Sequence, residues 1–309
     1  MSRLIPVLVL VAAVLFAGTA SAAVLADLPY RIGPDRRVVT DVMIDGKGPF
    51  HFMLDTAASR TMLYERTRET LNLAQSGSLL TVYGINNVGT AVPVKPQELR
   101  LADEAIRGLV MGVLPNDMEA SDGVLGLDAL AKYVVVLNHD TMRINLLTPG
   151  ETGGQPYRSW SWSALDARPL RDGSINFWTM RTSIKGTTIT TLLDMGAGMT
   201  MINWAAAEKL GYKRTSFPAD GLPQKLRDAL GTVEPVGVVR DVTIWVGGRL
   251  FPSQTIIVAN AAVFKYFDLD SKPAAIAGPG LLGDRSLAID FAAQRIYIAP
   301  DSKEAKTPS

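Results

Sequence analysis

Two stretches of the sequence share one pattern: Leu192-Leu193-Asp194-Met195-Gly196-Ala197-Gly198-Met199-Thr200 and Met53-Leu54-Asp55-Thr56-Ala57-Ala58-Ser59. In each, one aspartate directly follows an apolar run and is followed by small residues. An aspartate at the end of a buried strand is costly unless its charge is used or satisfied. Asp55 and Asp194 therefore predict a chain built twice around a shared carboxylate pair. Carboxylates that only cap backbone amides are the alternative.

The two aspartates are preceded by similar segments. Residues 37–45 alternate in polarity, which predicts a strand, and a turn and a second strand at 50–54 then lead to Asp55. In the second half two predicted strands, the latter at 187–193, lead to Asp194 in the same way. This self-similarity is the strongest indication of the chain's organisation.

A glycine-flanked apolar motif occurs later in each half, as Gly123-Val124-Leu125-Gly126 and Gly280-Leu281-Leu282-Gly283. We expect the two motifs to be equivalent, so that Gly126 corresponds to Gly283. Each is followed by a predicted β-hairpin, and these hairpins span residues 133–147 and 287–298.

The composition limits the functions open to this chain. It has 309 residues, 27 Gly and 18 Pro, which is typical of a turn-rich globular protein with two domains or two lobes. The net charge of +1 gives no electrostatic support for nucleic-acid binding. The absence of cysteine excludes thiol catalysis, and the presence of only two histidines, His51 and His139, argues against a metal site. We therefore predict no metal site, and chemistry carried by the two carboxylates would need no cofactor.

The first residues have the features of a signal peptide. Arg3 precedes an apolar segment at 4–17, and Ala20-Ser21-Ala22 fits the small-residue cleavage pattern. Cleavage would release an exported protein, periplasmic or secreted, without a membrane anchor, and an uncleaved anchor is the alternative. The predicted segments are a signal peptide at 1–22, an N-terminal lobe at 30–148, a linker at 149–165, a C-terminal lobe at 166–300 and a loose tail at 301–309.

The stretch Leu54-Asp55-Thr56-Ala57-Ala58-Ser59 resembles the Asp-Thr/Ser-Gly motif of aspartic peptidases. The two glycine-flanked motifs resemble the apolar-apolar-Gly motif that follows in each lobe of that family. The short turn before the Asp55 strand is similar to the turn at this place in the retropepsin-like branch of the family and in its bacterial exported relatives. The resemblance extends from about Arg36 to Ile298. It implies an all-β, two-lobed β-barrel fold with a pseudo-twofold internal repeat, and a monomer that binds an extended polypeptide across Asp55 and Asp194.

Two positions depart from the family motif. Ala57 stands where the first motif has glycine, and the Cβ atom of the alanine restricts the loop backbone. Met195 stands where the second motif has threonine or serine, whose hydroxyl in the family hydrogen-bonds across the lobe interface. Thr56 can supply one half of this brace, and Met195 cannot supply the other. The supporting residues that the resemblance implies are therefore Thr56, Ala57, Met195 and Gly196.

Two adjacent carboxyl groups can hydrolyse a peptide without a metal or a covalent nucleophile. One activates water as a base, and the other protonates the carbonyl oxygen and later the leaving amine. Like charges at short range do not readily both ionise, so such a dyad shares one proton and its pKa values separate. The pair titrates as a unit, so the proton is assigned neither to Asp55 nor to Asp194.

Other candidate sites are weaker. Tyr83 and Gly84 lie near the tip of a predicted hairpin, which is interpreted as a flap over the substrate or as a plain turn. Leu230-Gly231 is the corresponding, weaker candidate in the second half. His51, on the strand before Asp55, is interpreted as a structural or surface residue.

Two unrelated readings of the sequence are disfavoured. The stretch Gly278-Pro279-Gly280-Leu281-Leu282-Gly283 matches a dinucleotide-binding glycine pattern, but no clear strand precedes it and a hairpin follows. A serine hydrolase is disfavoured because no Gly-x-Ser-x-Gly motif is present.

Two functions remain. The first is an aspartic endopeptidase in which Asp55 and Asp194 are the general acid/base pair. The alternative is a catalytically weak or inactive retropepsin-like protein that binds extended peptides, and it is motivated by Ala57 and Met195. Neither function needs a nucleic acid or a membrane as partner.

Overall fold

A computed structural model of the protein describes residues 23–115, 121–150, 155–169, 176–213, 215, 217, 226–228, 231–233 and 235–301. The predicted signal peptide at 1–22 lies outside the described residues, as do residues 151–154 of the predicted linker and 302–309 of the predicted tail. Within the described part of the chain, no helix is long and apolar enough to cross a membrane.

The first half of the chain is built from short strands because its apolar residues alternate, or run briefly, between turns. Its strands are β1 (Val24–Ile32), β2 (Val38–Ile44), β3 (Lys47–Leu54), β4 (Met62–Tyr64), β5 (Leu80–Tyr83), β6 (Val88–Val94), β7 (Glu98–Leu101), β8 (Glu104–Arg107), β9 (Met111–Leu114), β10 (Gly123–Leu125), β11 (Val134–Asn138) and β12 (Arg143–Leu147). Its helices are α1 (Glu65–Leu71) and α2 (Leu127–Leu130).

The second half follows a short 3-10 helix at Pro156–Ser159 and has similar elements. Its strands are β13 (Ser161–Ala164), β14 (Asp166–Pro169), β15 (Asn176–Ile184), β16 (Thr187–Leu193), β17 (Thr200–Ile202), β18 (Leu226–Asp228), β19 (Gly231–Val233), β20 (Pro235–Val246), β21 (Arg249–Ala259), β22 (Ala274–Ala277), β23 (Leu287–Asp290) and β24 (Arg295–Ile298). Its helices are α3 (Trp204–Lys209), α4 (Val263–Tyr266) and α5 (Pro279–Leu282).

The hairpins that precede the two aspartates turn in the same way. Asp45 and Gly46 join β2 to β3 with φ values of 50° and 74°, and Lys185 and Gly186 join β15 to β16 with φ values of 49° and 75°. Positive φ at both central residues is the geometry of two-residue turns that match the twist of the flanking strands. The turns predicted at these positions are confirmed.

The same strand pairing surrounds each aspartate loop. In the first half β10 runs parallel to β3 and antiparallel to β4, and β4 runs parallel to β9. In the second half β22 runs parallel to β16 and antiparallel to β17, and β17 runs parallel to β21. The predicted all-β, two-lobed fold is therefore confirmed.

An antiparallel sheet of six strands joins the two lobes. Its order is β1-β12-β11-β23-β24-β13, so each half of the chain gives three strands. β11 and β23 meet in the middle, where Val135 lies opposite Ile289. β13 falls within the predicted linker, residues 149–165, which thus contributes a strand to this sheet. Side chains from both halves pack together on the sheet: Val134, Leu147, Tyr157, Ala288 and Tyr297.

Each aspartate is anchored through its backbone to the neighbouring parallel strand. The amide of Asp55 donates to the carbonyl oxygen of Leu125 at 3.0 Å, and the amide of Asp194 donates to that of Ala277 at 2.9 Å. Leu125 and Ala277 are the last residues of β10 and β22, so these two strands hold the same place in their lobes.

The predicted equivalence of Gly126 with Gly283 is therefore wrong. Gly126 directly follows β10, and the residue that directly follows β22 is Gly278, whereas Gly283 ends α5. The error arose because β22 consists largely of alanine, which is depleted in strands. A strand thus does precede Gly278, contrary to our reading. The four-residue helix α5 and the hairpin that follows it still form no βαβ unit.

Candidate active site

The first aspartate loop connects β3 to β4 and is supported from below by α2. The carboxyl Oδ1 of Asp55 accepts a hydrogen bond of 2.7 Å from the amide of Ala57. The amide of Leu127, at the start of α2, donates to the carbonyl oxygen of Ala58 at 2.8 Å. Ala57 stands where the family motif has glycine, and its side chain is partly buried against the core. The loop is thus fixed by its own carboxylate and by the helix beneath it.

The second aspartate loop connects β16 to β17 and repeats this contact. The carboxyl Oδ1 of Asp194 accepts a hydrogen bond of 2.9 Å from the amide of Gly196. Both carboxylates therefore do cap backbone amides, as the alternative reading required. This contact occupies one oxygen of each group and leaves open what the other oxygens do.

The two carboxyl groups lie against each other. Asp55 and Asp194 are within hydrogen-bonding reach, side chain to side chain. A Cβ atom added at Gly196 would lie 2.6 Å from the Cγ atom of Asp55, which is closer than real Cβ contacts allow. Only glycine therefore lets the second loop approach Asp55 this closely. The structure brings together the two residues that the repeated motif singled out.

A single hydroxyl links the two loops. Thr56, which is buried, donates from Oγ1 to the carbonyl oxygen of Leu193 at 2.8 Å and accepts from the amide of Met195 at 3.0 Å. The side chain of Met195 is 0% exposed and belongs to the apolar core. The brace is therefore made from the first lobe, and its mirror-image half has no hydroxyl at position 195.

Burial and mutual repulsion shape the charge of the pair. Burial is the main factor that raises the pKa of Asp55 above its ordinary value. Burial, and then the neighbouring charge of Asp55, raise the pKa of Asp194 well above its ordinary value. The amides of Ala57 and Gly196 and the guanidinium of Arg37 act in the opposite direction. These conditions favour a pair that keeps one shared proton well above the pH at which isolated carboxyl groups lose theirs.

Arg37 is a residue of this site that sequence reasoning missed. Its Nε donates to the carbonyl oxygen of Gly196 at 2.6 Å, and its Nη1 pairs with Asp35 Oδ2 at 3.0 Å. Arg37 lies just before β2, in the first lobe, and reaches the loop of the second. A local pattern could not have identified it, because the adjacent Arg36 points instead to Asp284, with an Nη2–Oδ1 distance of 2.8 Å.

Residues 40–129 match the family model described as aspartyl protease. The matched range begins in β2, includes the whole Asp55 loop and ends in α2. It supports an aspartic-protease-like family for the first lobe, and it does not extend to Asp194. No curated protein matches this chain.

The predicted flap is a hairpin formed by β5 and β6, and its tip contacts the second lobe. Gly84 donates its amide to the carbonyl oxygen of Asn87 at 2.8 Å, which closes the tip. The carbonyl oxygen of Ile85 accepts from the amide of Val263 at 3.0 Å. The rings of Tyr83 and Tyr266 pack edge to face, with centroids 5.2 Å apart. The hairpin therefore spans from one lobe to α4 of the other.

The remaining predicted residues lie elsewhere. The second-half candidate Leu230 is outside the described residues, and Gly231 begins β19, which pairs with β18 as a short hairpin. His51 Nδ1 lies 2.7 Å from Asp41 Oδ1, away from the aspartate pair and partly exposed. Among the residues that the structure describes, no group of three or more histidine, aspartate or glutamate side chains could hold a metal ion.

Proposed function

We propose that this protein is an aspartic endopeptidase that hydrolyses polypeptides, with Asp55 and Asp194 as its general acid/base pair. The observation that carries the proposal is the meeting of these two carboxyl groups, one from each lobe, with the pKa of both raised. Raised pKa values at a like-charge pair are a feature of functional sites more than of structural ones. The aspartyl protease match of residues 40–129 supports the same reaction class.

The reaction needs only water and the two carboxyl groups. The ionised carboxylate removes a proton from water as the water oxygen bonds to the carbonyl carbon of the substrate. The protonated carboxyl gives its proton to the carbonyl oxygen, which yields a neutral tetrahedral intermediate. The carbon–nitrogen bond then breaks as the protonated carboxyl gives its proton to the amine nitrogen and the ionised carboxylate takes one from a hydroxyl of the intermediate, so the pair returns to its singly protonated form. The dyad needs no third group to balance protons.

The supporting residues keep the two carboxyl groups in register. Thr56 ties its own loop to Leu193 and Met195, and Ala57 and Gly196 hold the carboxylates through their amides. In this proposal Tyr83 and Gly84 belong to a hairpin that covers an extended peptide. The substrate is a polypeptide, and the enzyme acts as a monomer because one chain contributes both aspartates.

The proposal extends to the organisation and location of the chain. The shared strand pairing around Asp55 and Asp194 supports a retropepsin-like duplication, with lobes at 30–148 and 166–300 joined at 149–165. The signal peptide at 1–22 would direct the protein to the periplasm or the exterior. N-terminal sequencing of the exported protein should then begin near Ala23, and a start at Met1 would contradict cleavage.

Met195 favours a second candidate, a catalytically weak relative that binds extended peptides. Since Met195 provides no hydroxyl, the brace between the loops has only the Thr56 half. A looser dyad would still form a cleft that binds peptide but would turn over slowly, because small misplacements of reacting groups cost large factors in rate.

Incubation of the purified protein with a denatured protein mixture, between about pH 4 and about pH 7, separates the two functions. The matched set is the wild type, Asp55→Asn, Asp194→Asn and a control, Asp103→Asn, whose side chain is exposed in the β7–β8 turn. We expect cleavage by the wild type and the control, and none by the two dyad variants.

Equal digestion by all four proteins, or by none of them, would remove the endopeptidase proposal. If none cleaves, binding of the same denatured mixture to immobilised protein tests the alternative. Retention by the wild type at about neutral pH would support a peptide-binding protein, and failure to retain any chain would remove that function as well.

A further inference from the structure

A loop of the first lobe lies across the second aspartate loop. The loop comprises residues 33–37, between β1 and β2. A Cβ atom added at Gly198 would lie 2.0 Å from the carbonyl oxygen of Asp35, so the two backbones are in close contact. Arg37 donates to the carbonyl oxygen of Gly196, and Arg36 pairs with Asp284 at the end of α5. The first lobe therefore reaches the Asp194 loop at two points and the end of α5 at a third.

We propose that Arg37 is a positioning residue of the aspartate pair: by binding the carbonyl oxygen of Gly196 it holds the Asp194 loop from the first lobe, in addition to the brace that Thr56 makes. The inference rests on the proposed function in that Asp55 and Asp194 are taken as the working pair. It adds a residue from outside both aspartate motifs.

The hydrogen bonds form a short chain from Arg37 to the carboxyl group. The guanidinium holds the carbonyl oxygen of Gly196, and the amide of the same residue holds Oδ1 of Asp194. Rotation of the loop at Gly196 would break both bonds. Glycine has no Cβ to restrict such a rotation. A hydrogen bond from outside the loop therefore restricts the backbone more at Gly196 than it would at most residues.

Thr56 and Arg37, both in the first lobe, bind neighbouring backbone groups of the Asp194 loop. Thr56 Oγ1 accepts from the amide of Met195 and donates to the carbonyl oxygen of Leu193, both before Gly196 in the second loop. Arg37 binds that loop on the other side of Met195. Between them, Thr56 and Arg37 hold the Asp194 loop on both sides of Met195 from the first lobe.

Arg37 also acts on the pair through its charge. Its side chain is 18% exposed, and a partly buried cation is screened less than one in water. It lowers the pKa of Asp55 and of Asp194, against the larger effect of burial. The other groups near the pair are Asp35, which pairs with Arg37, and Tyr64 on β4, whose pKa burial raises to about 12, so that it stays neutral at ordinary pH.

Three replacements separate the charge of Arg37 from its hydrogen bond. Arg37→Lys keeps the charge and loses the Nε donor, Arg37→Gln keeps a donor and loses the charge, and Arg37→Met loses both. The matched control is Arg36→Met. It also removes one positive charge, but at the neighbouring position, where the arginine belongs to an exposed ion pair with Asp284. The kinetic measurement is kcat and KM on one peptide substrate, and kcat/KM against pH.

We expect Arg37→Met to lower kcat about tenfold with little change in KM, because it loosens the reacting groups and not the peptide site. Loss of the cation raises the pKa of the pair. The alkaline limb of the kcat/KM profile should therefore move to higher pH for Arg37→Gln and Arg37→Met, and stay in place for Arg37→Lys. Equal kcat and equal pH profiles for Arg37→Met and Arg36→Met would overturn the inference.

A stability measurement tests Arg37 even if the wild type cleaves nothing, in which case the proposed function fails by itself. Melting temperatures are measured from about pH 4 to about pH 8. Arg37→Met should lose more stability than Arg36→Met as the pH rises, and replacing both Asp55 and Asp194 by asparagine in the same chain should abolish this difference. Parallel curves for Arg37→Met and Arg36→Met would show that Arg37 does not act on the pair.

Discussion

The hydroxyl of Thr56 in the first lobe donates a 2.8 Å hydrogen bond to the carbonyl oxygen of Leu193 in the second, and it accepts one of 3.0 Å from the amide of Met195. One side chain thus satisfies two backbone groups of the opposite loop, directly before and directly after Asp194. Because all these groups are buried, water cannot take over either bond if the hydroxyl is removed.

Thr56→Val should therefore destabilise the protein although it preserves the shape of the side chain. The change leaves the carbonyl of Leu193 and the amide of Met195 without their partner, at a cost of about 1–3 kcal/mol per buried group. Thr56→Ser keeps the hydroxyl and serves as the control. Urea denaturation gives the free energy of unfolding of each, and a Thr56→Val protein as stable as Thr56→Ser would show that the brace contributes nothing.

Asp55→Asn and Asp194→Asn should each abolish cleavage and make the fold less sensitive to alkaline pH. A carboxyl group whose folded pKa is raised binds its proton more tightly in the folded state. Its stabilising effect is complete below the unfolded pKa, at about pH 3.9, and is lost as the pH rises through the folded value. Asparagine does not titrate, and its Oδ1 can still accept from the amide of Ala57 or Gly196.

Melting temperatures measured at several pH values check this expectation. The gap between Asp194→Asn and the wild type should widen in favour of the variant from about pH 4 upward. Asp103→Asn, at an exposed turn position, should follow the wild type throughout. A dyad variant that melts far below the wild type at every pH would favour carboxylates that serve only as caps.

Contact between the flap hairpin and α4 should control access to the aspartate pair. Tyr266→Ala removes the ring that packs on Tyr83 and leaves the Ile85–Val263 backbone bond in place. Amides of β5 and β6 should then exchange with deuterium faster, because the tip loses its ring contact with α4. The melting temperature should change little. Trp245→Ala, on the exposed surface of β20, is the control, and equal exchange in the two variants would show that the aromatic pair does not hold the hairpin.

The strands and the Asp loops could be predicted because their signals are local. Alternation of polar and apolar residues, and the turns at Asp45-Gly46 and Lys185-Gly186, depend only on nearby sequence. The half-brace made by Thr56 followed from the resemblance and agrees with the observed hydrogen bonds. The roles of Asp55 and Asp194 in catalysis stay a prediction.

The errors and omissions concern contacts between distant parts of the chain. β22 was missed because its alanines carry little strand signal, and the true neighbour of the Asp194 strand was therefore misplaced. Arg37 and Arg36 are indistinguishable in the sequence, yet only Arg37 turns towards Gly196. The choice depends on how the two lobes meet, which no local pattern contains.

Met195 offers the sharpest test of what sets the charge of the pair. It directly follows Asp194, its side chain is 0% exposed, and it brings apolar atoms where a hydroxyl would donate a hydrogen bond. Desolvation raises the pKa of a carboxyl group, so the singly protonated pair should persist to higher pH with methionine than with threonine. The wild type should accordingly have a pH optimum nearer neutral than strongly acidic.

Met195→Thr should therefore shift the alkaline limb of the kcat/KM profile to lower pH without lowering the maximum rate. The maximum is kept because the new hydroxyl can complete the brace, even though the smaller side chain costs some stability in the core. Met199→Thr is the matched control, since Met199 lies in the same loop but is 43% exposed, and its profile should match that of the wild type. The ratio kcat/KM is the right measure because it reports the ionisations of the free enzyme. An unchanged or upward-shifted limb in Met195→Thr would show that position 195 does not set the environment of the aspartate pair.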